Sequence, residues 1–327
     1  EDVAAEFWKT LVQAEWPGLT VPVARGGSGA TAVELALVLE ELGRGADPTP
    51  FAATTALYLP LLEECPVDEA ANLLAAVCDG GTGTAAFDVE GIRAERNADG
   101  WRLTGSTTTV LDADRVDEVA VAASTDDGVG VFVVPRRTIT ATRTPSFDAG
   151  LHVADVTFDG VTVPGPRAAA GDEFAGRVER AHEQALVGVA ATTVGACQRI
   201  LEMTLEHVRN RKQFDVPIGS FQAVKHMVVD MYVAIERARA LHQFAALTIA
   251  EDDDRRSMAA SMAKAAAGDA QRLVAGTGVQ LFGGLGFTWE NDLQIFVRRA
   301  KAGEHLLGSS AHHRNRVARA VLAREGS

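Results

Sequence analysis

The chain has 327 residues, 47% of them hydrophobic and 23% charged, with a formal net charge of −13 and a pI of about 5.1. Such a length exceeds one small core and points to two or three domains. The acidic balance argues against non-specific nucleic-acid binding, and no apolar run reaches the roughly 18–20 residues that span a bilayer.

Nothing at the start reads as a signal peptide, so the expectation is a cytoplasmic protein with neither nucleic acid nor membrane as a partner. Cys65, Cys78 and Cys197 are far apart and lack metal-ligand spacing. They read as reduced, small core residues, with no metal site.

In chain order, Val3, Phe7, Trp8, Leu11 and Val12 place a helical stripe over residues 2–14, which Trp16-Pro-Gly-Leu-Thr-Val-Pro22 ends. Arg25-Gly-Gly-Ser-Gly29 lacks the Gly-Lys-Ser/Thr of a phosphate loop and reads as a turn. Thr31 with Glu34 forms a capping box for a helix from Ala32 to Leu42, closed by Gly43. Two more helical patterns follow, around 50–62 and 67–78.

At Asp79-Gly-Gly-Thr-Gly-Thr84 the texture changes. The Val- and Thr-rich runs at 101–105, 118–123, 130–134 and 154–163, separated by Gly, Pro and Asp signals, predict an antiparallel β domain. Asp99-Gly100 reads as a hairpin turn and Pro164-Gly-Pro166 as a boundary. From about 171 onward only helices are predicted, over 172–210, 220–251, 255–282, 289–306 and 310–324. In the second of these, Val224, Met227, Val228, Met231, Ile235 and Ala238 make a sustained stripe, and the third is crowded with Ala and Gly. The fold class is α+β, mainly α: a helical domain (1–78), a β domain (79–170) and a helical bundle (171–327).

Between the first two long helices lies the most particular stretch, Arg211-Lys-Gln-Phe-Asp-Val-Pro-Ile-Gly-Ser-Phe-Gln222. A generic connection needs only a few polar or Gly residues. A guanidinium, an amide and two aromatics suit a loop that holds a flat, phosphorylated ligand. His312-His313 beside Arg314 has no third ligand at suitable spacing and reads as a solvated or interface pair.

The block order, Arg211-Lys-Gln-Phe214, Pro217-Ile-Gly-Ser-Phe-Gln222 and Gln280-Leu-Phe-Gly-Gly-Leu-Gly-Phe-Thr-Trp-Glu290 resemble the acyl-CoA dehydrogenase family over nearly the whole chain. Trp16–Pro22 and Leu37-Val-Leu-Glu-Glu-Leu-Gly-Arg44 look like its N-terminal helices. The resemblance implies a C-terminal four-helix bundle, a dimer or dimer of dimers, and FAD lying across a subunit interface. It also implies electron-transferring flavoprotein as acceptor. Carried over, Arg211 faces the FAD pyrophosphate, Gln213 adds a hydrogen bond, and Phe214, Ile218 and Phe221 line the adenine side. Gln280, Gly283 and Gly284 then serve the phosphate–ribose region.

The family's carboxylate base is the part that fails to match. Counted without gaps from Gly283, one family position for it falls on Leu307, and the other on about Ala185. The nearest substitutes are Glu304, one helical turn from Leu307, and Glu183, two residues from Ala185. In the β domain, Thr109 and Leu111 stand where the family has a Trp and a Thr, and further on, two residues beyond Ser309, Ala311 replaces an expected amide. The resemblance therefore implies a subunit that donates half of an FAD site to a catalytic partner in an α2β2 assembly. Such assemblies are characteristic of actinobacterial dehydrogenases acting on steroid side-chain CoA thioesters. The alternatives are a homomeric acyl-CoA dehydrogenase using Glu304 or Glu183, and a flavin-free structural homologue.

Overall fold

A computed structural model describes residues 2–325. The elements follow three blocks. Helices α1 (Asp2–Gln13), α2 (Ala32–Arg44), α3 (Leu59–Glu64) and α4 (Ala70–Cys78) come first. Strands β1 (Gly83–Ala86), β2 (Ile92–Asn97), β3 (Gly100–Leu111), β4 (Glu118–Thr125), β5 (Gly128–Pro135), β6 (Thr140–Arg143), β7 (Val153–Val163) and β8 (Ala168–Gly171) follow. Then come α5 (Phe174–Asn210), a two-residue hairpin of β9 (Lys212–Gln213) and β10 (Val216–Pro217), α6 (Gln222–Ala250), α7 (Arg256–Phe282), α8 (Leu293–His305) and α9 (Ser310–Glu325). No helix among the described residues is long and apolar enough to cross a membrane.

Packing groups these elements into two compact units, residues 1–35 with 48–185, and residues 36–47 with 186–327. The first holds the sheet, ordered β6-β7-β3-β2-β4-β5-β8, with β1 pairing β4. Its pairs are antiparallel except β1–β4 and β2–β4, which are parallel. Ile92, Leu103, Val121, Phe132, Val156 and Phe158 fill one side as its core. The Asp99-Gly100 expectation corresponds to the tight β2–β3 hairpin, where Asn97 pairs with Gly100.

In the same unit a single π-helical turn, Ala53–Tyr58, is wholly buried. It brings the Tyr58 ring against Gly83, where a Cβ would lie 2.4 Å from the ring carbons. The Thr54 hydroxyl donates to the Gly83 carbonyl at 3.2 Å. Gly27 likewise sits where a Cβ would be 2.1 Å from the Val21 carbonyl. Both glycine-rich runs therefore serve packing inside the chain.

The capping box forms as expected: Glu34 accepts from the Thr31 backbone N–H at 2.8 Å and the Thr31 hydroxyl at 2.5 Å. Gly43 has another role than the predicted closure. It lies inside α2, and a Cβ there would meet the Thr192 carbonyl at 2.2 Å. Gly195 on α5 answers it, with a Cβ position 1.9 Å from the Glu40 carbonyl. Two glycines thus let α2 and α5 cross at backbone contact. At the same crossing buried Glu40 accepts from Arg239 Nε at 2.7 Å and meets His242 Nε2 at 2.9 Å, both from α6. Burial works to raise the Glu40 carboxyl, but the His242 and Arg239 bonds overcome it and hold the pKa below its ordinary value.

Gly195→Ala should destabilise the protein by about 1–3 kcal/mol, because neither backbone can yield. Gly276→Ala, whose Cβ meets nothing within 4 Å in α7, should instead stabilise it by about 0.5–1 kcal/mol. Thermal melts of the two variants beside the parent check both signs.

Candidate functional site

Helix α5 is 37 residues long, and its end leads into the hairpin. The Arg211 N–H bonds the His207 carbonyl at 2.8 Å, and the Ile218 N–H bonds the Arg211 carbonyl at 2.8 Å, closing the loop on itself. Gln213 pairs with Val216 and Lys212 with Pro217 across the two strands. The turn between them is Phe214–Asp215, with φ of 51° and 65°. Left-handed φ at both turn residues suits the twist of a two-residue hairpin, but Gly or Asn normally fills it. Non-glycine residues there cost about 1–2 kcal/mol each.

The hairpin points its chemistry outward. Phe214 is 88% exposed, and its ring meets that of Phe221 edge-on with centroids 6.3 Å apart. Arg211 and Gln213 are exposed and Ile218 is half-buried. Among the described residues the Arg211 guanidinium makes no ion pair, in a chain with an excess of carboxylates. The Gln213 amide donates to the Lys212 carbonyl at 2.8 Å, which fixes its side chain along the hairpin.

The second predicted turn lies alongside. His207, at the end of α5, stacks on Phe282, at the end of α7, with centroids 4.2 Å apart and planes 14° off parallel. Burial and then the nearby Arg211 charge hold the His207 pKa below its ordinary value. Gln280, Gly283 and Gly284 are all exposed. Gly283 has φ 62° and ψ −137°, a conformation open essentially to glycine. Gly284 has no positive φ, and a Cβ on it would meet nothing within 4 Å. Nothing inside this chain requires glycine there, in contrast to Gly27, Gly83 and Gly195. The structure therefore brings Arg211, Gln213, Phe214, Phe221, Gln280 and the Gly283–Gly284 backbone to one end of the bundle.

The candidate bases are placed differently. Glu304 is 5% exposed, and both carboxylate oxygens are held, one by Arg272 at 2.5 Å and the other by Lys301 at 2.9 Å. Burial would raise its pKa, but Lys301 and Arg272 overcome that and keep it below the ordinary value. Proton abstraction calls for a carboxylate with an open oxygen and a pKa nearer the working pH, so this pairing disfavours Glu304 as a base. Glu183 is buried on α5 in the other unit, next to His182, whose ring lies 5.2 Å from that of Phe87. Thr109 is a β-branched residue at φ 63°, at a bulge in β3, and Leu111 is buried.

Sequence reasoning missed the groups around Leu307. Lys264, 1% exposed in α7, donates from Nζ to the carbonyls of Glu304 at 3.0 Å and Gly308 at 2.8 Å. Buried His313 donates from Nε2 to the Leu307 carbonyl at 2.9 Å. Leu307 (φ 56°) and Gly308 (φ 101°) both take left-handed conformations. A buried ammonium and an imidazole thus cap the end of α8 and brace the turn at Leu307, where the resemblance leads one to expect the family's carboxylate. Burial pushes the Lys264 amine down to about 8 and His313 down to about 4. A lysine in an Ala-rich helix carries no sequence signal for this role. Among the described residues no cluster of His, Cys, Asp or Glu could hold a metal ion.

Comparison with known proteins agrees with the architecture. The acyl-CoA dehydrogenase N-terminal domain matches residues 1–80 and the C-terminal domain of that family matches residues 178–322. Acyl-CoA dehydrogenase IpdE2 of Mycolicibacterium smegmatis is 30% identical over 92% of this chain and 83% of its own length. Acyl-CoA dehydrogenase FadE27 of Mycobacterium tuberculosis is 30% identical over 96% of this chain and 87% of its own. Among solved structures, the ChsE4–ChsE5 complex from Mycobacterium tuberculosis aligns with a TM-score of 0.89 at 28% identity, covering 97% of this chain and 88% of that one. A variant of the Tcur3481–Tcur3483 steroid ACAD aligns at 0.88 and 27% identity, covering 98% of this chain and 89% of that one. The chain belongs to the acyl-CoA dehydrogenase family.

The brace around Leu307 carries a pH signature. His313 has a folded pKa below its unfolded one, so the unfolded chain binds the proton first. Its contribution to stability is complete above about pH 6.5 and is lost as pH falls toward about 4. Urea titrations from pH 7 to 4 should show this loss, and His313→Gln should flatten it.

Proposed function

We propose that this chain is one subunit of a heteromeric, α2β2-type acyl-CoA dehydrogenase, and that it lends half of an FAD site to a catalytic partner chain. The observation that carries this reading is Gly284. It is a glycine that neither conformation nor packing inside the chain demands, set beside Arg211 and Gln280 at an exposed end of the bundle. A flat cofactor approaching from outside supplies the missing reason. In this reading Arg211 pairs with the pyrophosphate, Gln213 and Gln280 donate or accept hydrogen bonds, and Phe214, Ile218 and Phe221 cover the adenine.

FAD, when bound, supplies the hydride acceptor for forming an α,β double bond in an acyl-CoA, with electron-transferring flavoprotein as the onward acceptor. The residues of this chain bind and orient. They do not move the proton, because Leu307 has no acid–base group and the Glu304 oxygens are taken. The partner contributes the base. The likeness to the ChsE4–ChsE5 complex and to the Tcur3481–Tcur3483 steroid ACAD supports both a mixed assembly and a steroid side-chain CoA thioester as the substrate class.

Flavin absorbance per chain tests the reading. The chain purified alone should be colourless. Co-expressed with the acyl-CoA dehydrogenase chain encoded nearest to it, the assembly should carry about one flavin for every two chains. Arg211→Ala in that assembly should weaken flavin binding by about tenfold or more, in line with a lost charge-assisted bond. One FAD per chain with turnover in the isolated protein would sink the idea.

A further inference from the structure

Three strands of the sheet end side by side. The order β6-β7-β3 sets Arg143, the last residue of β6, against Ala154, and sets Val153, the first residue of β7, against Leu111, the last of β3. The end of β3 bends through Thr109 at φ 63°, and Asp112 just beyond it has φ 57°. Aspartate tolerates the left-handed region, whereas a β-branched threonine holds it only under strain, and such strain gathers at functional sites. The Asp112 N–H donates to the His152 carbonyl at 2.9 Å, and the Thr144 N–H to the Val153 carbonyl at 2.8 Å. The β3–β4 and β6–β7 loops are thus fastened backbone to backbone.

On these loops His152 and Asp114 form a dyad. His152 Nδ1 lies 2.8 Å from Asp114 Oδ2, with 17% and 14% of the two side chains exposed. An ionised carboxylate only accepts, so in the neutral ring Nδ1 carries the proton and Nε2 keeps its lone pair. Nε2 has no hydrogen-bond partner among the described residues. The second oxygen of Asp114, Oδ1, is buried without a partner. A carboxylate so placed favours a positive charge on the ring beside it, which is what a base acquires when it takes a proton. Burial is the largest influence on His152 and lowers its pKa, the Asp114 bond raises it, and the charges of Arg115 and Arg143 lower it. The net direction is downward, toward the proton-free form that a base requires. Arg115 is committed inside the chain, to Asp112 at 2.7 Å and the Pro48 carbonyl at 2.8 Å. Arg143 is exposed and donates to the Ala149 carbonyl at 3.0 Å, without an ion pair among the described residues. Asp148, the other charge on this loop, is buried and accepts from the Gly150 N–H at 3.0 Å. Phe147 beside it is 63% exposed.

We propose that His152, oriented by Asp114 and with Arg143 beside it, is a general base that hydrolyses thioesters carrying an apolar acyl group. No hydroxyl or thiol among the described residues bonds Nε2, so water is the nucleophile. Nε2 takes a proton from water as the water oxygen bonds the carbonyl carbon, and the oxyanion that forms meets the Arg143 guanidinium. The C–S bond then breaks, and the imidazolium returns its proton to the departing thiolate. One carboxylic acid and one thiol result, with no change of oxidation state and no flavin or metal. A thiol with a pKa of about 8.5 leaves with no stronger acid than an imidazolium, whereas an alcohol needs one, so thioesters are favoured over oxygen esters. Phe147 offers the acyl group an apolar contact. Asp114 is a positioning residue, acting through the ring. The assignment uses neither the hairpin nor a partner chain and stands apart from the shared-site reading.

Phenylacetyl-CoA suits the test. It has no β hydrogen, so the formation of an α,β double bond cannot consume it and every thiol released reports hydrolysis. Thiol release is followed on the complete chain, alone and co-purified with the acyl-CoA dehydrogenase chain encoded nearest to it, from about pH 5 to about pH 8. The parent should exceed the buffer rate by about a hundredfold or more. Its rate should climb through a midpoint below 6.5 and then level off, because only the proton-free ring is a base. His152→Asn and Asp114→Asn should each lose about tenfold or more. Asp114→Asn should also move the midpoint to lower pH, since the Asp114 charge raises the His152 pKa. Arg143→Gln alters an exposed side chain and should lower kcat about tenfold with KM nearly unchanged. Thermal melts confirm that each variant folds. Thiol release at the buffer rate in both preparations, a rate that survives His152→Asn, or a rate flat across this pH range overturns the assignment. None of these outcomes bears on the shared-site reading, which flavin content decides.

Discussion

The close crossing of α2 and α5 is the contact on which the bundle depends. A carboxylate taken from water must be fully paired, or it costs several kcal/mol. Glu40 meets that condition only because Gly43 and Gly195 let two backbones touch, which holds its side chain within reach of both Arg239 and His242. Arg239 also donates to the side-chain amide oxygen of Gln198 on α5 at 2.9 Å, so one half-buried guanidinium ties α5 to α6. The facing ends of those two helices are where the hairpin begins and finishes. Its geometry is therefore decided many residues away, by two missing side chains and one buried ion.

The two turns that bear on the chemistry are built in opposite ways. The turn after α8 is braced from within by Lys264 and His313, and its neighbouring carboxylate is neutralised by Arg272 and Lys301. The Lys264 ammonium and both Glu304 carboxylate oxygens there are engaged by the chain itself. The hairpin and the turn after α7 leave the Arg211 guanidinium without an ion pair among the described residues, the Gly284 face open and the Phe214 ring 88% exposed. Bracing from within at one turn and exposed groups at the other are the contrast on which the shared-site proposal rests.

Much of this was readable beforehand. Long helices with continuous apolar stripes announce themselves, and the α6 residues Met231, Ile235 and Ala238 are buried as their spacing implies. The Thr31–Glu34 cap is local chemistry and forms as written. Short edge strands such as β6 and β8 were not visible, because four residues give too little alternation to register against neighbouring turns. Gly43 was misread for a deeper reason. A glycine that ends a helix and one that admits a neighbouring backbone look alike in a single sequence, and only the distance to Thr192 separates them. Lys264 was invisible because a lysine between alanines suggests a solvated face, and nothing local discloses two carbonyls waiting at the end of another helix.

Phe214 and Asp215 set the comfort of the isolated fold against the binding role proposed for the hairpin. Asparagine and glycine at those positions would relax the left-handed turn at once. A laboratory selection for heat resistance of the lone chain would therefore drift toward them and strip away the aromatic ring. On the shared-site proposal the ring is kept for a contact outside the chain, so the strain at this hairpin would be a cost borne by the fold for the sake of the bound state.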